Sequence, residues 1–140
     1  MLMTETGQDR LNGMFYNSEK ISITISPEIS KEGNQLKLGV DDKTGIQKFS
    51  DGKIKVGEHK ITIYEGSIIE ALKGNSKYNG LRTDEAIGAV AGHESGHTEK
   101  KNTLEGIENR DKQTNHDVEA VPNKIEDKII EELKKGGQNL

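Results

Sequence analysis

The chain of 140 residues contains no cysteine and no tryptophan, and only two prolines and two phenylalanines. The absence of cysteine excludes disulfides, thiolate zinc sites and a cysteine nucleophile. With so few aromatic residues, the core must be small and almost entirely aliphatic, and this length predicts one domain over 1–140. The longest uncharged and mostly apolar run, 86–92, is far shorter than the ~20 residues of a membrane-spanning helix.

Acidic residues are only slightly in excess, with 24 acidic against 20 basic residues and a net charge of −4. Because the basic residues are scattered, we expect neither nucleic acid nor a membrane as a partner. A signal peptide is not expected either, since Glu5, Asp9 and Arg10 interrupt any hydrophobic region near the N-terminus. The predicted location is cytoplasmic, or the chain is delivered as part of a larger exported protein.

The first half of the chain is typical of short strands with one solvent-facing side. Apolar and polar residues alternate in four segments, 21–25, 36–40, 54–56 and 61–64. The last two are separated by four residues and predict a hairpin. We expect a small, mostly antiparallel sheet, with no ordered structure at about 1–18 and 136–140.

The second half has the periodicity of helices. Three are predicted, at 67–74, at 83–100, and from within 117–122 to about 135. The first has a capping-box pattern, Ser67 with Glu70, and Gly74 at its end. Thr83 is the expected N-cap of the second. A small sheet followed by helices predicts an α+β fold.

The second predicted helix carries the pattern His-Glu-Ser-Gly-His. Because residues four apart share a helix face, His93 and His97 can bind one metal ion, and Glu94 is placed to reach a water molecule on that ion. Gly92 and Gly96 each cost about 1 kcal/mol of helix propensity relative to alanine. Their presence indicates that another backbone approaches this helix closely. The pattern predicts a catalytic metal site with an open position for water.

Residues 90–98 resemble the extended motif of the zincin metallopeptidases, although Glu99 stands where that family usually has a hydrophobic residue. The resemblance implies a zincin-type active-site helix and one Zn²⁺ per chain, with His93 and His97 as ligands. It also implies peptide hydrolysis, in which Glu94 takes a proton from the attacking water and delivers it to the leaving amine.

A third zinc ligand has to come from further along the chain. Glu119 lies 22 residues after His97 and resembles the glutamate that gluzincins supply from a second helix. Asn123, one turn later, is at the position where those families keep an aspartate that orients a histidine ligand. The alternatives to Glu119 are Asp117, His116 and Glu126.

The same resemblance implies a second donor for the reaction's oxyanion and an edge strand that binds the substrate. His116 or Tyr64 is the expected donor. The strand containing Ile61, Ile63 and Tyr64 is expected to bind the backbone of a protein or peptide substrate by strand addition. Specificity would come from loops such as 99–116.

In size and order of elements, the chain also resembles the C-terminal effector domains of bacterial polymorphic toxins, including those of Rhs-type proteins. That resemblance implies a carrier protein and an immunity protein as partners. Two other functions remain open: a non-catalytic metal-binding or protein-interaction domain, and a non-peptide amidase or other metal-dependent hydrolase. We expect only ordinary structural roles for His59, Tyr16 and Tyr78.

Overall fold

The computed structural model describes residues 4–15, 17 and 19–138 of the chain. Its helices are α1 (Glu5–Phe15), α2 (Glu65–Lys73), α3 (Thr83–His97), α4 (Lys100–Lys112) and α5 (Ala120–Gln138). Its strands are β1 (Lys20–Ser26), β2 (Ser30–Glu32), β3 (Gln35–Lys37), β4 (Gly39–Thr44), β5 (Gln47–Lys48), β6 (Ile54–Lys55) and β7 (Glu58–Tyr64). Small sheets followed by helices confirm the predicted α+β class.

The largest sheet has three strands in the order β1-β7-β4. The central strand, β7, pairs antiparallel with β4 and parallel with β1. The remaining strands form two antiparallel ribbons, β2–β3 and β5–β6, so the pairings are mostly antiparallel, as predicted. The parallel pair was not anticipated, because alternation of apolar and polar residues carries no information about strand direction.

Burial along β7 alternates with the period of a strand, so that His59, Ile61 and Ile63 face the core. Helix α3 packs against this side of the sheet, and α5 packs against α3. The core cluster is mainly aliphatic and includes Ile61, Ile63, Ile68, Ala86, Ala89, Val90, Ile129 and Leu133. Within the described residues, no helix combines the length and the apolar character needed to cross a membrane.

The predicted hairpin between 54–56 and the next strand is wrong. Strand β6 pairs instead with β5, in a register that places Ile54 opposite Lys48. The turn of this ribbon contains Asp51 and Gly52, and Gly52 has a φ of 85°. An Asp-Gly pair is a strong hairpin signal because glycine adopts positive φ without strain. The local turn therefore pairs β6 with the segment before it.

Residues 5–15, for which we expected no ordered structure, form α1. The hydroxyl of Thr4 accepts a hydrogen bond from the backbone N–H of Gly7 at 2.9 Å, which stabilises the start of the helix. Met14 is buried and joins the core. The helix buries few apolar side chains, so its sequence has little helical periodicity. Tyr16 lies outside the described residues.

The predicted cap of α2 is also wrong, because the helix begins at Glu65, ahead of Ser67. Ser67 is buried, and its hydroxyl accepts from the backbone N–H of Ser30 at 2.7 Å and donates to the carbonyl of Ser30 at 3.0 Å. The two other predicted helices correspond to α3, in which Thr83 is the first helical residue, and to α5, which continues to Gln138.

Residues 99–116 were expected to form a loop, yet most of them belong to α4. The carbonyl of Glu99 accepts from the backbone N–H of Thr103 at 2.8 Å, which starts the helix directly after α3 ends. The side chains that α4 buries are Asn102, Thr103 and Ile107. Only one of these is apolar, so the sequence lacks the amphipathic pattern that would predict a helix.

Candidate metal centre

Two imidazoles on the last two turns of α3 face one cleft. The ring centroids of His93 and His97 are 5.2 Å apart, and the side chains are 17% and 13% exposed. They share a helix face because they are four residues apart. At the other end of α3, the carboxylate of Glu85 accepts from the backbone N–H of Arg82 at 2.9 Å, which fixes the start of the helix.

The carboxylate of Glu119 lies against both rings. Its Oε2 is 2.8 Å from Nε2 of His93, and its Oε1 is 3.3 Å from Nε2 of His97. Glu119 immediately precedes α5, and its carbonyl accepts from the backbone N–H of Asn123 at 2.9 Å. The first turn of α5 therefore brings the carboxylate of Glu119 to the two histidines.

The alternatives to Glu119 near the start of α5 point elsewhere. The carboxylate of Asp117 accepts from the backbone N–H of Glu119 at 3.1 Å, so it stabilises the turn before α5. The Nε2 of His116 is 3.1 Å from a carboxylate oxygen of Glu108 on α4, and His116 does not line the cleft. His116 is therefore not placed to act as the oxyanion donor that we expected.

The outer nitrogens of both imidazoles have protein partners. Nδ1 of His93 is 3.4 Å from Oε1 of Glu126, and Nδ1 of His97 is 3.1 Å from Nδ2 of Asn102. We had expected Asn123 in such a role; it lines the cleft, but the two positions are held by Glu126 and Asn102. Glu126 lies two turns after Glu119, a spacing that could have identified it. Asn102 had no such signal, because α4 was not predicted.

Glu126 is a buried carboxylate at the centre of a polar cluster. Its Oε2 accepts from the hydroxyl of Tyr78 at 2.5 Å, and its Oε1 accepts from Nζ of Lys77 at 2.7 Å. Burial alone would raise the pKa of Glu126, but hydrogen bonds from His93, Lys77 and Tyr78 lower it overall. Glu126 is thus held as an anion beside His93. The sequence had indicated only an ordinary role for Tyr78.

The charges around His93 favour its protonated form. Burial works against a charged imidazole, but hydrogen bonds to Glu119 and Glu126 raise the pKa of His93 to about 10. Hydrogen bonds from His93 and His97 to the Glu119 carboxylate hold the pKa of Glu119 well below its usual range. Because a metal ligand must be deprotonated, protons and a cation compete for Nε2 of His93.

Glu94 has a different environment from the other carboxylates of the cleft. Its side chain is buried, and this burial raises its pKa to about 7, in spite of the neighbouring histidines, which lower it. It packs against β4 at Gly39, where a Cβ would lie 3.1 Å from Oε2 of Glu94. Potential ligand atoms of His93, Glu94 and His97 all lie within 4.8 Å of one another.

Close packing of α3 against α5 positions the carboxylates, and two glycines allow it. A Cβ on Gly96 would lie 2.9 Å from the Cα of Pro122, in the first turn of α5. A Cβ on Gly92 would collide with the end of the Ile129 side chain. The contact at Gly96 is the close backbone approach that the sequence indicated, whereas at Gly92 the neighbour is a side chain. The two contacts set the distance between the histidines of α3 and Glu119.

The cleft has a volume of about 680 Å³ and lies between the β3–β4 segment and the helices α3 and α5. Its apolar lining consists of Leu36, Leu38, Val40, Tyr78, Val90 and Val118. The strand at this border is β4, which is an edge strand of the sheet. The prediction that Ile61, Ile63 and Tyr64 form the substrate-binding edge is wrong, because β7 is paired on both sides and the two isoleucines are buried.

A buried ion cluster supports the wall of the cleft formed by β4. His59 is fully buried, with Nδ1 2.9 Å from Asp41 on β4 and Nε2 3.0 Å from Glu19. Nζ of Lys43 is 3.1 Å from the Asp41 carboxylate. Burial lowers the pKa of His59, but its hydrogen bonds to Asp41 and Glu19 outweigh burial and raise the pKa above 6.5. His59 therefore has a charge-bearing role that the sequence did not indicate.

The free energy of unfolding is expected to fall as the pH is raised above 6.5. The pKa of His59 is higher in the folded protein than in the unfolded chain, so its protonation stabilises the fold. This contribution is fully present below the pKa of the unfolded chain and is lost as the pH rises through the pKa of the folded protein. One proton gives a slope of up to about 1.4 kcal/mol per pH unit. Urea unfolding of the parent and of Glu19→Gln across this range measures it. The raised pKa of His93 gives a slope of the same sign, so the difference between the two proteins isolates His59. Equal slopes would contradict the assignment.

Two imidazoles and one carboxylate at the mouth of a partly apolar cleft form a donor set that suits zinc. The two oxygens of Glu119 lie 2.8 Å from Nε2 of His93 and 3.3 Å from Nε2 of His97, so this carboxylate is within reach of an ion held by both imidazoles. The residues present therefore fit the metal. Comparison of the chain with protein-family models, with curated proteins and with solved structures found no match in any of the three.

Proposed function

We propose that this protein is a zinc-dependent metallopeptidase of the zincin type, in which His93, His97 and Glu119 hold the metal. The observation that carries the proposal is the contact of one carboxylate with Nε2 of both histidines of the motif. These three side chains come from two separate parts of the chain. Zinc held there would supply Lewis-acid chemistry, by polarising a substrate carbonyl and lowering the pKa of a water molecule.

The residues around the ligands have complementary tasks in this proposal. The carboxylate of Glu126 orients the imidazole of His93 by accepting from Nδ1. The side-chain amide of Asn102 lies 3.1 Å from Nδ1 of His97 and limits the rotation of that ring. Glu126 is in turn fixed by Tyr78 and Lys77. This support reduces the freedom of both rings, which favours a stable geometry at Nε2.

Glu94 is the general base in this proposal. Its pKa of about 7 is suited to accept a proton at its carboxylate near neutral pH and then to release it to the nitrogen of the leaving amine. The cleft beside it is bordered by β4, an edge strand with backbone groups available to an extended peptide. This edge replaces β7 as the substrate strand, and it favours a peptide over a small amide as the substrate.

Elemental analysis of protein purified without chelators tests the metal site. We expect about one zinc ion per chain, and loss of that zinc in His93→Ala. His116→Ala is the matched control, since this histidine lies outside the cleft, and it is expected to retain the metal. A low zinc content that His93→Ala leaves unchanged would contradict the proposal and favour a non-catalytic interaction domain.

A further inference from the structure

Helix α1 contacts both α3, which carries the two histidines, and α5, which begins directly after Glu119. On α5, the carboxylate of Glu132 accepts from the backbone N–H of Thr6 at 3.0 Å. On α3, the guanidinium of Arg10 contacts Ser95, which lies inside the His-Glu-Ser-Gly-His motif, and Glu99 just beyond it. The N-terminal helix is therefore connected directly to the segment that presents the histidines.

Arg10 uses all three of its guanidinium nitrogens on the end of α3. Nε donates to the hydroxyl of Ser95 at 3.0 Å, Nη2 donates to the carbonyl of Ser95 at 3.1 Å, and Nη1 donates to Glu99 at 2.5 Å. Carbonyls in the last turn of a helix lack helical partners, and a cation there is favourable. Arg10 supplies both the donors and the charge from another element.

This contact also explains the departure of Glu99 from the zincin motif. A hydrophobic side chain at this position would leave the guanidinium of Arg10 without its carboxylate partner, in a place where Arg10 is only 19% exposed. The acidic residue and the arginine therefore form one feature. It belongs to this chain's N-terminal helix and not to the motif itself.

The end of α3 matters for the metal because His97 is its last residue. Thr98 donates through its hydroxyl to the same Ser95 carbonyl at 2.7 Å, so Arg10 and Thr98 together hold the turn that contains His97. His93 lies one turn earlier, inside the regular hydrogen bonding of the helix. Removal of the Arg10 side chain should therefore disturb the position of the His97 imidazole much more than that of the His93 imidazole.

We propose that Arg10 is a positioning residue for the metal centre, acting through Ser95 and Glu99 to hold His97 in its ligand geometry. This inference rests on the proposed function, because it assumes that His97 binds zinc. It assigns to α1 a role in metal affinity, in addition to its contribution to the core.

Zinc affinity of the full chain, measured by competition with a chromogenic chelator, tests the inference. Arg10→Ala is expected to weaken zinc binding about tenfold, and Arg10→Lys to recover part of the loss because the ammonium keeps the charge near Glu99. Arg110→Ala is the matched control. It removes an arginine on α4 whose guanidinium contacts Asp111 outside the cleft, and it should leave the zinc affinity near that of the parent.

Imidazole NMR of the zinc-free variants provides a readout that does not depend on zinc. In Arg10→Ala, the ring resonances of His97 should shift while those of His93 stay near their parent positions. If Arg10→Ala binds zinc like the parent, or if Arg110→Ala loses as much affinity, the inference is overturned and the proposed function stands. If the parent binds no zinc, the proposed function fails, and equal shifts of the two histidines would overturn the positioning role as well.

Discussion

Glu94→Gln is expected to bind zinc like the parent and to lose peptide hydrolysis by a factor of about 10²–10⁴. Glutamine has nearly the same shape as glutamate but cannot accept and release the proton. The replacement also removes a buried carboxyl group whose pKa is raised to about 7. Ionisation of that group destabilises the fold, so above this pH the variant is expected to have a higher free energy of unfolding than the parent. The measurement is cleavage of a fluorogenic peptide library, with zinc content determined on the same samples.

Glu108→Gln is the matched control for this prediction. Glu108 carries the same carboxylate on α4, half exposed, and contacts His116 outside the cleft. The Glu108→Gln variant should cleave peptides at the parent rate. If Glu94→Gln cleaves as fast as the parent while holding its zinc, Glu94 is not the base. If neither the parent nor any variant cleaves peptides but all bind zinc, the site is a metal-binding site without peptidase activity.

Gly96→Ala should impair both folding and zinc binding. The new Cβ would lie 2.9 Å from the Cα of Pro122, and a backbone atom cannot move aside as a flexible side chain can. The first turn of α5, together with Glu119 directly before it, would have to shift away from α3. We expect a loss of about 1–3 kcal/mol in the free energy of unfolding. Zinc affinity should fall at least about tenfold, as it typically does when a residue that supports a metal ligand is removed. Urea unfolding and zinc competition measure the two effects.

Two other glycines provide the controls. Gly106→Ala, in the interior of α4, has no atom within 4 Å of the added Cβ and should stabilise the fold by about 0.5–1 kcal/mol. In Gly92→Ala the added Cβ would collide with the end of the flexible Ile129 side chain, so the effect should lie between the other two. Zinc affinity in Gly96→Ala equal to that of the parent would show that this close approach does not place Glu119.

Local sequence determined the parts of the site that lie within one helix. His93, Glu94 and His97 could be placed on one face because helical spacing depends only on positions a few residues apart. Gly96 indicated a close neighbour through its cost in helix propensity, although it did not identify that neighbour as Pro122. Alternation of residues likewise located β1 and β7, but not their mutual direction. The prediction of Glu119 as the third ligand did not follow from local pattern. It came from the resemblance of its position, 22 residues after His97, to that of the gluzincin glutamate.

Tertiary structure decided everything that depends on contacts between distant segments. Glu126 and Asn102 became the partners of the imidazole Nδ1 atoms because α4 and α5 pack where they do, and β7 became a central strand because β1 and β4 both pair with it. Arg10 reaches Ser95 across 85 positions of the chain. Such polar contacts add no apolar periodicity to either segment. A local pattern can therefore predict the motif, while the packing of the helices determines what surrounds it.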